Sequence, residues 1–127
     1  MIAILRLEPE AAAFARRMEQ AVAVCMSAVS LQECSMVLAG RQADAMAWSE
    51  LDGIVRSMEI EVIPHDAELA RMAREAFLRF GKGRHPARLN CDDCASYALA
   101  RKHNIPLLFK GSDFAHTDIV PALPVPA

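Results

Sequence analysis

Three short apolar runs, AVAVCM at residues 21–26, EIEVI at 59–63 and PLLF at 106–109, alternate with longer stretches of helical periodicity. Strand-length runs separated by helix-length stretches leave few ways to bury the apolar residues. Each strand must return to the same sheet through a helix, which favours right-handed βαβ crossovers and a parallel sheet covered by helices. The spacing predicts helices over residues 8–19, from Ser27 or Ser30 to about Leu38 with Gly40 ending it, over 43–58, from an Asp66 cap through Phe80, and over 90–103. Trp48, Leu51, Ile54 and Val55 share one side of the third helix, and Leu69, Met72, Ala73, Ala76 and Phe77 form the stripe of the fourth. Pro64 stops the second strand. Residues 81–89 (GKGRHPARL) read as a loop, residues 111–118 as a loop or short helix, and PALPVPA as extended chain. The expected fold is α/β, with residues 1–127 one domain and 121–127 its proline-rich tail.

Three acidic stretches interrupt this apolar pattern: Glu33 in SAVSLQEC, Asp92 and Asp93 in LNCDDCASYALA, and Asp113 with Asp118 in FKGSDFAHTD. Burying a carboxylate is costly unless a cation or hydrogen-bond donors compensate it. Several converging carboxylates repel, and a hard divalent cation relieves the repulsion. In parallel sheets, sites form beyond the carboxyl ends of strands. Glu33 follows the run at 21–26 by one to two helical turns, and Asp113 and Asp118 follow the run at 106–109. Metal-assisted phosphodiester chemistry is therefore the first reaction to consider.

Each acidic stretch also has a plainer role open to it. Asp92 and Asp93 suit the first turn of a helix, where the dipole and capping favour negative charge. Ser30 and Glu33 match the capping box. Asp118 after Thr117 suits a turn. Cys91 and Cys94 form C-x-x-C without further zinc ligands at suitable spacing, and fit the apolar face of a helix. Lys82, Arg84, His85 and Arg88 make the 81–89 loop either a solvated connector or a phosphate contact, and His116 is a lone loop histidine.

Composition narrows the class. A chain of 127 residues suits one core, and 54% hydrophobic with 24% charged residues suits a soluble protein. No apolar run reaches bilayer length, and residues 1–5 lack the basic region and cleavage site of a secretory signal. The expectation is a cytoplasmic protein whose four cysteines are free thiols. A net charge of −2 argues against a broad basic face for nucleic acid. It leaves open an enzyme that meets phosphate through bound metal.

Taken together, RFGKGRHPARLNCDDCASYALA (79–100), PLLFKGSDFAHTDI (106–119), MSAVSLQE (26–33) and VIPHDAELA (62–70) resemble the PIN-domain endoribonucleases, specifically the VapC-type toxins of bacterial toxin–antitoxin pairs. The resemblance covers nearly the whole chain. It implies a parallel sheet flanked by helices, an acidic cluster binding Mg²⁺ or Mn²⁺ to cleave RNA, a cognate antitoxin as partner and a homodimer, while the lack of a bilayer-length apolar run leads to the expectation of no membrane partner. Residue by residue, Glu33 matches the family's helix glutamate, Asp93 the aspartate of its Leu-Asn-x-Gly-Asp-Cys motif, and Asp113 its late aspartate. These three are the expected catalytic and metal-binding carboxylates, with Asp118 joining them as a metal-binding neighbour. Asp92 stands where the motif usually has glycine and adds negative charge. The family begins with a Val-Ile-Asp-Thr/Ala-Ser-Ala pattern, and the opening MIAILRLEPEAAAF of this chain resembles the segment just after it. The resemblance thus implies a sheet without its first strand and a site without its first aspartate. The alternative it leaves is a noncatalytic PIN-like subunit that binds an antitoxin or a second copy of itself.

Overall fold

A computed structural model describes residues 11–42 and 45–123, and the chain divides into two compact units after Ile63. The expectations for residues 1–5 and for the first strand lie outside the described residues. So do the first residues of the predicted 8–19 and 43–58 helices and the end of the proline-rich tail.

The first unit contains α1 (Ala11–Gln20), β1 (Val24–Ser27), α2 (Ala28–Gln42), α3 (Ala45–Ser57) and β2 (Ile60–Ile63). β1 and β2 pair in parallel, in register from Val24 opposite Ile60 to Ser27 opposite Ile63. The crossover passes through α2 and α3, as parallel pairing demands. Leu38 of α2 and Leu51 of α3 are buried together, with Leu31, Cys34 and Val55 packed around them. Ser27 is buried at the end of β1, and its hydroxyl accepts from the Val29 amide at 3.1 Å, which caps α2.

Several boundaries differ from the sequence expectation. β1 starts at Val24 rather than Ala21, because residues 21–22 bend and Val22 is exposed. α2 starts ahead of Ser30, so a capping box from Ser30 to Glu33 is not what opens it. Gly40 does not end α2. The helix runs on to Gln42, since an exposed glycine only weakens a helix that packing elsewhere holds. Trp48 is 45% exposed rather than inside, and its indole N–H donates to the Ser35 carbonyl of α2 at 2.7 Å. Glu59 takes a left-handed turn conformation, φ 52°, which delays β2 to Ile60.

The second unit opens with α4 (Ala67–Phe80), capped by Asp66, whose carboxylate accepts from the Leu69 amide at 2.9 Å. Its buried stripe is Leu69, Ala73, Ala76 and Phe80, a clean i+4, i+3, i+4 progression. Phe77, expected in that stripe, is 40% exposed because it falls beyond the edge of this row. The chain then turns through residues 81–90 into α5 (Cys91–His103). Gly81 and Leu89 pair across the base of the turn, with Lys82 N donating to Leu89 O at 3.0 Å and Leu89 N to Phe80 O at 2.9 Å. α5 packs on α4 and buries Cys94, Ala95, Tyr97, Ala98, Leu99 and Ala100, as its nearly all-round apolar sequence requires. Asn104 closes α5 in the left-handed conformation, φ 52°.

The predicted strand at 106–109 is reduced to a single bridge between Leu107 and Pro121. Leu107 N donates to Val120 O and Ala122 N to Leu107 O, both at 2.8 Å. Neither Pro106 nor Pro121 has an N–H to extend the ladder. A 3₁₀ helix, Asp113–His116, lies between the two bridge partners. Among the described residues no helix is long and apolar enough to cross a membrane.

An alanine at Gly81 would drive its Cβ into the Phe77 carbonyl oxygen and ring. Overpacking of this kind is expected to cost about 1–3 kcal/mol. Urea denaturation should show a lower midpoint with unchanged slope for Gly81→Ala. An unchanged midpoint would mean that the turn relaxes without cost.

Candidate active site

The start of α5 is where the second unit concentrates negative charge. Asn90 is the cap residue. Its side-chain oxygen accepts from the Asp93 amide at 2.9 Å, while the Asp93 carboxylate accepts from the Asn90 amide at 3.0 Å. This reciprocal capping box fixes the Asp93 side chain to its own backbone. Sequence reasoning placed a capping box at Ser30 and Glu33, and the structure builds one at Asn90 and Asp93.

Asp93 is half-buried, and burial is the main reason its carboxyl titrates above the ordinary aspartate range. The Asn90 amide pulls it back down, and the neighbouring charges of Asp92 and Asp113 push it further up. Asp113 is exposed at the first position of the 3₁₀ helix. Asp113 therefore contributes to the negative field at Asp93, although twenty residues separate them in sequence. Glu33 is exposed in the second turn of α2, in the first unit. Among the described residues, no group of three or more His, Cys, Asp or Glu side chains gathers in a metal-holding arrangement.

Asp118 has a different environment. One carboxylate oxygen accepts a short hydrogen bond from the Tyr97 hydroxyl. The other lies 3.9 Å from the Arg79 guanidinium and 4.0 Å from that of Arg101. The Tyr97 hydrogen bond, then the two arginines, hold the Asp118 carboxyl below its ordinary range. Burial and Asp118 together push the Tyr97 phenol up to about 12. Tyr97 was not among the residues singled out from sequence. The signal was there: it is the chain's only tyrosine, set in an apolar helix where a buried hydroxyl needs a partner.

Cys94 is buried and its thiol is pushed up to about 11, first by burial and then by Asp93 and Cys91. Cys91 is exposed, contrary to the expectation that both would face the apolar side. Among the described residues no disulfide joins the four cysteines, and the raised Cys94 thiol suits neither thiolate chemistry nor zinc ligation. In the 81–89 turn, Lys82, Arg84 and Arg88 are exposed. His85 turns inward, accepting from the Ala87 amide at Nδ1 and meeting the Phe80 ring edge-on at 5.1 Å. His116 is exposed at the end of the 3₁₀ helix.

The sequence pattern of the PIN domain matches residues 1–120. The chain belongs to the PIN-domain family. It is 45% identical over 124 residues to VapC ribonuclease Mb0625 of Mycobacterium bovis, an alignment spanning 97% of this chain and 92% of that protein. Ribonuclease VapC28 of Mycobacterium tuberculosis matches to the same extent. Ribonuclease VapC of Mycolicibacterium smegmatis is 39% identical over 119 residues, 94% of this chain and 92% of the relative. The PIN-domain match takes in β1, β2, α4, α5, and all five acidic residues singled out from sequence.

The raised Asp93 carboxyl has a consequence for stability. A carboxyl whose folded pKa lies above its unfolded one favours the fold while protonated, and that advantage is lost as pH rises through the folded value. Asp93→Asn carries no such dependence. In metal-free buffer, the stability of wild type relative to Asp93→Asn should therefore fall as pH rises from about 3 to about 6, across the aspartate range. Thermal melts in chelator at a series of pH values measure this. A difference that is flat, or that moves in the variant's disfavour, would contradict the assigned environment.

Proposed function

We propose that this PIN-domain protein is a metal-dependent endoribonuclease, the toxin of a toxin–antitoxin pair, which hydrolyses RNA phosphodiester bonds. The observation that carries the reading is a half-buried Asp93 at the start of α5, with Asp92 and Asp113 adding to the negative field around it, in a chain 45% identical to proteins named ribonucleases. In this reading RNA is the substrate, a cognate antitoxin protein the partner, a homodimer the assembly and the cytoplasm the compartment.

The residues suit a hard divalent ion, Mg²⁺ or Mn²⁺. Mg²⁺ is commonly held by one or two carboxylates, with waters and substrate phosphate completing its shell. Asp93 and Asp113 offer that oxygen donor set, and their mutual repulsion is what a cation would relieve. Glu33 is assigned as a further carboxylate from its match to the family's helix glutamate. When bound, such an ion activates an attacking water and stabilises charge developing on the phosphate.

The chain's own contribution is orientation. The Asn90 amide holds one face of the Asp93 carboxylate, so the group is set before substrate arrives. The exposed cations Lys82, Arg84 and Arg88, on the turn that leads into Asn90, offer contacts to the RNA backbone.

RNA cleavage in Mg²⁺ or Mn²⁺ tests the reading. Wild type should cleave, chelator should stop it, and Asp93→Asn, Asp113→Asn and Glu33→Gln should each lose roughly 100-fold or more in rate, at or beyond the upper end of what loss of an outer-shell partner costs. Equal cleavage by wild type and Asp93→Asn would remove Asp93 from the mechanism and with it the proposed active site.

A further inference from the structure

Asp118 was expected beside the other carboxylates as a metal-binding neighbour, yet its oxygens are already engaged. One accepts from Tyr97, and the other faces Arg79 and Arg101. The positions of Tyr97 and Asp118 in the chain give these contacts their meaning. Tyr97 lies four residues after Asp93 on α5, about 6 Å along the helix axis and on the same side. Asp118 lies five residues after Asp113.

The segment between Asp113 and Asp118 is stiff. Ala115 N donates to Ser112 O at 3.1 Å and Thr117 N to Phe114 O at 3.0 Å. The Thr117 hydroxyl donates to Phe114 O at 2.7 Å and accepts from Ile119 N at 3.2 Å. Phe114 and Ile119 are buried on either side, with Phe114 against Phe109 at 5.2 Å between ring centroids. A tether at Asp118 is therefore transmitted to Asp113 rather than absorbed by loose chain. At its other end Tyr97 is itself fixed, buried on α5 with its ring 5.5 Å from that of Phe80.

We propose that Asp118 is not a metal ligand but a positioning residue: its hydrogen bond from Tyr97 pins the 3₁₀ helix to α5 and sets Asp113 at the distance from Asp93 that a shared divalent ion requires. This rests on the metal-dependent reading of the Asp93 and Asp113 pair. The pin is a neutral donor to a charged acceptor, which is stronger than a neutral pair and directional. The two guanidiniums, near 4 Å and largely exposed, contribute little beyond orienting the second oxygen.

The two roles make opposite predictions for conservative variants. Asn at 118 keeps an oxygen to accept from Tyr97 but is a poorer metal ligand. Phe at 97 keeps the ring in its packing but removes the donor. Mn²⁺ binding to the full chain, followed by electron paramagnetic resonance titration well below each variant's melting temperature, separates them. Under positioning, Tyr97→Phe and Asp118→Ala weaken Mn²⁺ affinity roughly tenfold, the scale seen for outer-shell partners of metal sites, while Asp118→Asn stays within about twofold of wild type. Under ligation, Asp118→Asn binds as weakly as Asp118→Ala and Tyr97→Phe binds like wild type, which overturns the proposal. A lowered melting temperature in Tyr97→Phe with unchanged Mn²⁺ affinity also overturns it, because the contact would then be structural only. Asp93→Asn is the control on the underlying reading: if it binds Mn²⁺ as wild type does, the metal site itself is misplaced and the positioning role falls with it.

Discussion

The capping box between Asn90 and Asp93 is the contact on which the chemistry proposed for the second unit depends. A helix must satisfy its first amides, and here the residue that does so at the third position is an aspartate drawn partly out of water. Capping alone would be served equally well by an exposed acidic residue. Half-burial beside Asp92 and within the field of Asp113 adds a charge cost that capping does not need. Local departures from the cheapest arrangement concentrate where a protein binds or reacts.

The rest of the unit can be understood as support for that first turn. α5 is apolar on nearly every side, so it is held by packing against α4 rather than by its own amphipathic pattern. The turn before it is closed by the Gly81 and Leu89 pairing, with Ala87 and Leu89 fully buried, so the cap residue is delivered from a fixed point. Gly81 is needed there because the chain passes hard against Phe77. After α5, the Asn104 cap reverses the chain, and the single Leu107 to Pro121 bridge brackets the segment that carries Asp113. These constraints end on Asn90, which caps the turn carrying Asp93, and on the segment carrying Asp113.

Much of this was legible in the sequence, and the failures have physical reasons. The helices of the second unit could be read from Asp66, from the Leu69 and Ala73 periodicity and from the acidic first turn at Asp92 and Asp93, because each is a local signal. The parallel pairing of β1 and β2 followed from two short apolar runs with helices between them. The run PLLF looked like a third strand, yet whether a run becomes a strand depends on partners, and the prolines at 106 and 121 allow only a bridge. Gly40 misled because a glycine's cost in a helix is small enough for packing elsewhere to override. At the proposed site, the acidic stretches and the family resemblance singled out Asp93 and Asp113, but neither pointed to the contact between Tyr97 and Asp118. That contact joins positions 21 apart through a hydroxyl whose partner no local pattern specifies.

The distribution of positive charge separates the carboxylates into two kinds. Asp118 has Tyr97 and two guanidiniums about it, and its carboxyl is held in the ionised form by them. Among the described residues, Asp93 receives help only from a backbone amide, while burial and two like charges act against its ionised form. A chain with Lys82, Arg84 and Arg88 exposed on the turn just before Asn90 was not short of cations to place there. Directing arginines to Asp118 while Asp93, among the described residues, meets only a backbone amide makes sense if the missing positive charge comes from outside the chain. A side-chain cation would fill the space and quench the charge for good. A divalent ion would neutralise the carboxylates yet keep open coordination positions for water and phosphate, which is what cleavage of a polyanion requires.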